Sequence, residues 1–248
     1  MQLKTNIDPR VPLRLDPYLA DDFQSVWGRL NPSLRAQSGD PLSPAFAANV
    51  AAVNRGQFRE IDPSDLFDIG QALQMGQRLP RNHEVARTIF EYLLATDMTQ
   101  AAENLTEIAI DQGDFAAAYD YAQIMARTGH PRARAVLNKL ETHMSLPDIL
   151  AHHDFAPTST YGQVKRAGGS LYTLANQSMM GIDAERSYQT AYYWGVLALA
   201  EGDQRAKMIV DTIEGLGDKL SANQRVEWQR TIATVQSQAW TDWANTQD

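Results

Sequence analysis

A spaced set of small and bulky residues recurs three times along this chain, and it limits the fold more than any other feature. Each copy begins with an alanine, followed 3, 11 and 15 positions later by a bulky residue, a turn residue and a second alanine. The copies are Ala86-Ile89-Asp97-Ala101, Ala118-Tyr121-Gly129-Ala133 and Ala191-Trp194-Gly202-Ala206. Apolar residues then follow each second alanine at offsets of 4 and 7, which places them on one helical stripe. Each copy therefore predicts two helices joined by a tight turn.

The intervals between the copies indicate stacked helical hairpins. The copies begin 32 and 73 residues apart, so the longer interval has room for one degenerate copy. Repeat periods in the thirties are typical of helical hairpins. Alanine at a helix crossing allows close approach, and each hairpin leaves an apolar face that its neighbour covers. We predict an all-α fold, an α/α superhelical solenoid of about four helical hairpins with a C-terminal capping helix.

The prolines divide the chain into two predicted domains. Seven of the eleven prolines lie within the first 63 residues, where fixed φ angles and missing N–H donors interrupt helices. We predict a proline-containing N-terminal segment over 1–61, with short helices at 18–30 and 45–54. This segment either packs on the main body or serves as a free partner-binding arm. The repeat domain is predicted over 62–248, with 142–167 as either a degenerate repeat or an inserted loop.

Composition excludes several classes of function. The chain has no cysteine, so disulfides, thiolate metal sites and cysteine nucleophiles are excluded. A net charge of −8 without a concentrated basic patch argues against nucleic-acid binding. No apolar run is long enough for an integral membrane segment. The sequence contains no nucleotide-binding, hydrolase or zinc-protease motif, so we expect no cofactor and no metal.

Residues around the third copy resemble the Sel1-like repeat family, which is related to the tetratricopeptide repeats. The resemblance is carried by Leu171-Tyr172, Gly181-Ile182-Asp183, Ala191-Tyr192-Tyr193-Trp194 and Gly202-Asp203. It covers roughly 64–141 and 168–235, and it is weaker in the first block. The resemblance implies a binding scaffold that organises complexes through protein–protein contacts. The family motif residues are structural, so no catalytic residue is implied.

The polar residues on the first helix of each predicted hairpin are the candidate contacts for a partner. In such arrays this helix lines a concave groove. We predict that a protein or peptide binds here, and that the acidic residues favour a basic or polar segment. Exposed tyrosine is an effective interface anchor, and we expect at least one of Tyr192 and Tyr193 to be exposed. The predicted partner-binding residues are Asn104, Glu107, Asp111, Tyr172, Asn176 and Tyr192.

Two alternatives to a binding scaffold remain at the level of sequence. The chain could be a structural subunit of a larger assembly, including one of the cell envelope. It could also be an enzyme that uses His152 or His153, within 142–167, as a base. We favour a non-enzymatic protein because the recurring residues are packing residues. The compartment is expected to be cytoplasmic if Met1 is the native start, and periplasmic if a leader was removed.

Overall fold

The computed structural model of this protein describes residues 43–246, which contain twelve α-helices and no strand. The prediction of an all-α fold is thereby confirmed for these residues. The first six helices are α1 (Pro44–Asn54), α2 (Pro63–Met75), α3 (His83–Ala95), α4 (Ala101–Asp111), α5 (Phe115–Arg127) and α6 (Ala133–Glu141). The other six helices are α7 (Leu146–Ala151), α8 (Tyr161–Arg166), α9 (Leu171–Met180), α10 (Tyr188–Ala200), α11 (Lys207–Glu214) and α12 (Ala222–Ala244).

The chain forms two compact units, which we call the first and the second unit. The first unit ends at Ile124 and the second begins at Met125, inside α5. In the first unit, α2 packs against α1, α3 and α4. In the second unit, α10 lies at the centre and packs against α9, α11 and α12. The predicted division at residue 61 stays a prediction.

The helices begin and end where the local chemistry of the chain favours it. The Asp62 carboxylate accepts a hydrogen bond from the Ser64 amide, and Pro63 occupies the first position of α2. Ser187 caps α10 in the same way through the Thr190 amide. Gly76 ends α2 in the left-handed conformation, at a φ of 70°. A capping aspartate followed by proline is a common signature of a helix start.

Every residue of the three sequence copies takes a matching position. The first alanines, Ala86, Ala118 and Ala191, are fully buried on α3, α5 and α10. The bulky residues and the second alanines are at most 1% exposed. The turn residues all adopt the left-handed conformation, which L-amino acids other than glycine rarely take. Their φ angles are 69° at Asp97, 73° at Gly129 and 90° at Gly202.

The sequence also predicts two further helices and distinguishes the segment 142–167, and the structure treats each differently. The helix expected at 45–54 is confirmed as α1, and it is followed by Gly56 at a φ of 71°. The helix expected at 18–30 lies outside the described residues. The segment 142–167 contains α7 and α8, each only six residues long and each capped by a serine or threonine. Residues 152–160 join these two helices.

Candidate partner-binding surface

Charge is distributed very unequally between the two units. The described residues of the first unit, 43–124, contain twelve carboxylates and five arginines. Those of the second unit, 125–246, contain twelve carboxylates and twelve basic side chains. The carboxylate excess of the described residues therefore belongs entirely to the first unit. An excess of carboxylates produces a negative potential that extends over roughly one Debye length, about 8 Å at physiological salt.

A polar cluster joins α2 and α4 in the first unit. The Asn104 amide donates a hydrogen bond to Gln74 Oε1 at 2.8 Å, and Gln74 Nε2 donates to Glu107 Oε2 at 3.1 Å. Asn104 and Gln74 are each 8% exposed, whereas Glu107 is exposed. The Gln74 carbonyl also accepts a hydrogen bond from Arg81 Nε at 3.1 Å. The cluster therefore fixes the orientation of the Glu107 side chain at the surface.

Asp111 continues this surface along α4. It lies one helical turn beyond Glu107, is exposed, and makes no ion pair with any described residue. Met75, next to Gln74 at the end of α2, is 50% exposed. The surface formed by Gln74, Met75, Asn104, Glu107 and Asp111 is called the acidic face below. It combines unpaired negative charge, an oriented carboxylate and an exposed apolar side chain.

Tyr172 and Asn176 lie one turn apart on α9 in the second unit. Both are half-buried. The Arg205 guanidinium stacks over the Tyr172 ring at 4.6 Å from its centroid, and Asp203 binds Arg205 at 2.6 Å. Arg205 therefore already covers one face of the Tyr172 ring. Asn176 makes no side-chain hydrogen bond with the described residues and stays available.

The prediction that Tyr192 or Tyr193 is exposed is wrong. Tyr192 is 1% exposed and Tyr193 is 2% exposed, because both rings lie in the core around Trp194. Their hydroxyls reach polar partners at the edge of that core: Tyr192 donates to Glu214 at 2.8 Å and Tyr193 donates to Asp242 at 2.5 Å. Burial raises the pKa of both phenols, and the neighbouring carboxylates raise it further. Tyr192 is thus a packing residue rather than a surface anchor.

His153 lies in the interior of the second unit. It is 2% exposed, its ring packs edge-on against the Tyr188 ring, and Nδ1 accepts from the Tyr188 amide at 3.4 Å. Burial, the Arg186 charge and the His152 charge lower the pKa of His153 to about 3. A base must reach its substrate. His153 is enclosed, so its geometry suits packing rather than proton transfer.

Beside His153, the Arg186 guanidinium forms a largely buried ion pair with Glu141. Arg186 is 3% exposed and donates to Glu141 Oε1 at 2.8 Å, to Asn138 Oδ1 at 2.8 Å and to the Met180 carbonyl at 2.9 Å. These bonds join α6 to the end of α9 and the start of α10. Sequence reasoning missed this residue, because Arg186 follows an acidic loop and looks like a surface charge.

A small cavity of about 290 Å³ lies at the end of α10 in the second unit, lined by Tyr161, Lys165, Gly169, Leu171 and Glu201 among others. Its charges are satisfied within the protein. Lys165 binds Glu201 at 3.2 Å, and Tyr161 also donates to Glu201. Both interactions lower the pKa of Glu201. The cavity thus presents no unpaired charge to a ligand.

Two further findings concern residues 43–246. No group of three or more histidine, aspartate or glutamate side chains in this range is arranged to hold a metal ion. No described helix has both the length and the apolarity needed to cross a membrane.

Taken together, the described residues define an all-helical protein of two units, whose distinctive surface is the acidic face of the first. No protein-family model, curated protein or solved structure matches the chain. The resemblance to the Sel1-like repeats therefore stays a prediction from the residues quoted above.

Proposed function

We propose that this protein is a non-enzymatic scaffold or regulator that binds a basic or polar segment of another protein on the acidic face. The charge imbalance of the first unit carries the proposal: twelve carboxylates against five arginines in 43–124. Complementary charge increases association rates and selects partners, although it adds less to affinity than buried contacts do. The exposed Met75 side chain, which follows Gln74 in the sequence, supplies apolar area at the end of α2.

The cluster of Gln74, Asn104 and Glu107 supports the choice of this surface. A carboxylate held by a buried amide loses less conformational entropy on binding than a free side chain does. Asp111 has no ion-pair partner in the described part of the chain, so a cationic ligand need not displace one. We include Tyr172 and Asn176 on α9 as candidate contacts of the second unit.

We also propose that the hairpins are Sel1-like repeats stacked as an α/α solenoid. The buried alanines and the three left-handed turn residues support this proposal, since corresponding positions of the three copies lie in similar environments. In a solenoid the first helices of successive hairpins line one surface. This arrangement would place the residues of α2 and α4 on the binding surface.

The experiment selects peptides from a random display library on the immobilised protein and measures their affinity by fluorescence anisotropy. We expect the selected peptides to be enriched in lysine and arginine, and their affinity to fall as salt is added. The double variant Glu107→Lys/Asp111→Lys should weaken binding by at least about tenfold, roughly 1.4 kcal/mol.

The matched control places the same charge change on the second unit, as Asp154→Lys/Asp218→Lys. Both of these aspartates are exposed, and neither carboxylate has a partner among residues 43–246. The control variant should bind like the wild type. Equal affinity of the Glu107→Lys/Asp111→Lys variant and the wild type, with unchanged thermal midpoints, would exclude the acidic face.

The structure supplies a specific argument against the enzyme alternative at His153, which is enclosed and accepts a hydrogen bond from the Tyr188 amide. We therefore do not propose it as a base.

A further inference from the structure

The last helix, α12, has two different faces. One face packs into the core of the second unit through Trp228, Ile232, Val235 and Ala239. The opposite face carries a stripe whose members alternate at spacings of 4 and 3 residues, the spacing of a seam between two helices. This outward stripe consists of Val226, Arg230, Ala233, Ser237, Trp240 and Ala244.

All six residues of the outward stripe are exposed, including two large apolar side chains. Val226 is 55% exposed and Trp240 is 46% exposed. The Trp240 ring contacts Trp243 edge-on at 5.9 Å between centroids, which leaves much of the indole uncovered. Exposed tryptophan is uncommon on monomer surfaces and is enriched at the centres of interfaces.

Arg230 is the only cation of the outward stripe. Its guanidinium forms no ion pair or hydrogen bond with the described residues. Trp240 lies ten positions further along the same face, about 15 Å away along the helix axis. Arginine stacks favourably on the face of an indole ring, but the two side chains of one copy are too far apart to meet.

The outward stripe is complementary to itself when two helices run antiparallel. Its residues form three pairs, and the two members of each pair are equally far from position 235 in the sequence. The pairs are Arg230 with Trp240, Val226 with Ala244, and Ala233 with Ser237. A two-fold axis at this position would bring the members of each pair together from opposite copies. Such an isologous contact requires the same patch to match itself.

We propose that the outward stripe of α12 binds a second copy of this chain. In this dimer each Arg230 guanidinium stacks on the Trp240 indole of the second copy, so the cation–π contact forms twice. Ala233 and Ser237 meet near the axis, where small side chains let the two backbones approach closely. The antiparallel orientation also pairs the opposite ends of the two helix dipoles.

The absence of cysteine from the natural sequence makes a register-specific crosslinking test straightforward. One batch of protein carries Ala233→Cys and another carries Ser237→Cys. After mixing and mild oxidation, the antiparallel dimer should give disulfides mainly between the two different variants. Lys219→Cys, which is exposed and lies outside α12, should give no crosslink above background.

A residue swap tests the contact between Arg230 and Trp240. The wild type should sediment as a dimer whose dissociation is seen on dilution. Trp240→Arg alone should produce monomers, because it sets two arginines against each other. Adding Arg230→Trp to that variant restores both arginine–tryptophan pairs and should restore the dimer. Gln236→Ala, on α12 but outside the stripe, should behave like the wild type.

Three results would overturn the proposal. The first is a wild-type chain that stays monomeric over a hundredfold range of concentration. The second is preferential crosslinking of Ala233→Cys with itself, which indicates a parallel pair. The third is a dimer that persists in Trp240→Arg, with thermal midpoints showing that the variant is folded.

Discussion

Single buried polar residues hold the second unit together at places where several chain segments meet. Arg186 bridges α6 and the turn that precedes α10. The tyrosines follow a related rule, with the ring buried and the hydroxyl bound to a carboxylate, as in Tyr192 with Glu214 and Tyr193 with Asp242. A buried polar atom that loses its partner costs about 1–3 kcal/mol, and a charged one costs more.

Replacing Arg186 with alanine should lower the free energy of unfolding by about 3 kcal/mol, because Glu141 and two acceptors lose their donor. Arg205→Ala is the control, since its side chain is 67% exposed and exposed ion pairs contribute about 1 kcal/mol or less. Urea denaturation, monitored by tryptophan fluorescence, measures the free energy of unfolding of both variants. A loss from Arg186→Ala no larger than that from Arg205→Ala would contradict this role.

His153 should make the folded state sensitive to acid. Burial, followed by the neighbouring Arg186 and His152 charges, lowers its pKa to about 3, whereas an unfolded histidine titrates near 6.5. Between these values the unfolded state binds the extra proton, so stability falls as the pH falls. From pH 7 to pH 5 this histidine should remove about 2 kcal/mol.

The measurement compares the wild type with His153→Gln in urea at both pH values. The variant should lose about 2 kcal/mol less than the wild type over this range, whatever its stability at pH 7. His143→Gln, at an exposed position, serves as the control and should follow the wild type. Parallel pH profiles for all three proteins would show that folding does not lower the pKa of His153.

At the scale of the element, the three hairpin turns use one backbone conformation with two different residue types. Gly129 and Gly202 adopt it readily, whereas Asp97 adopts it at a φ of 69° against the preference of an L-residue. The Asp97 side chain is exposed and has no partner in the described part of the chain. The turn in the first unit is therefore less favourable than its counterparts.

Asp97→Gly should stabilise the first unit by roughly 0.5 kcal/mol, since the relief of backbone strain exceeds the added entropy of the unfolded chain. The reciprocal change, Gly202→Asp, should destabilise the second unit by about 1 kcal/mol. No atom lies within 4 Å of a Cβ built on Gly202, so its effect reports the backbone alone. Thermal denaturation should give shifts of opposite sign; shifts of the same sign would refute the equivalence of the turns.

At the scale of the whole molecule, the two proposed interactions belong to different units. The acidic face uses α2 and α4 of the first unit, and the outward stripe uses α12 of the second. The first depends on the carboxylates of Glu107 and Asp111, and the second depends on an arginine–tryptophan contact. They differ in chemistry, so each should respond to its own substitutions.

We expect the effects of the two sets of substitutions to be independent. Trp240→Arg should leave the intrinsic affinity for a selected basic peptide within about twofold of the wild type, and Glu107→Lys/Asp111→Lys should leave the sedimentation behaviour unchanged. A variant that carries both sets of substitutions should lose both the affinity for the peptide and the dimer. A loss of peptide binding in the monomeric variant would instead show that the two interactions are coupled.

The sequence by itself determined the helical class, the start of α2 and the burial of the repeated alanines. These features depend on local periodicity, capping residues and residue size, all of which can be read along the chain. The sequence also singled out Asn104, Glu107 and Asp111, because helical spacing alone places them on one flank of α4.

Only the tertiary structure decided which polar residues meet. Gln74 joins Asn104 and Glu107 across 30 and 33 residues of sequence, and Arg186 reaches Glu141 across 45 residues. Tyr192 was expected at the surface, yet the helices around α10 bury its ring. Periodicity gives the direction of a side chain relative to its own helix, whereas burial depends on which other helices cover that direction.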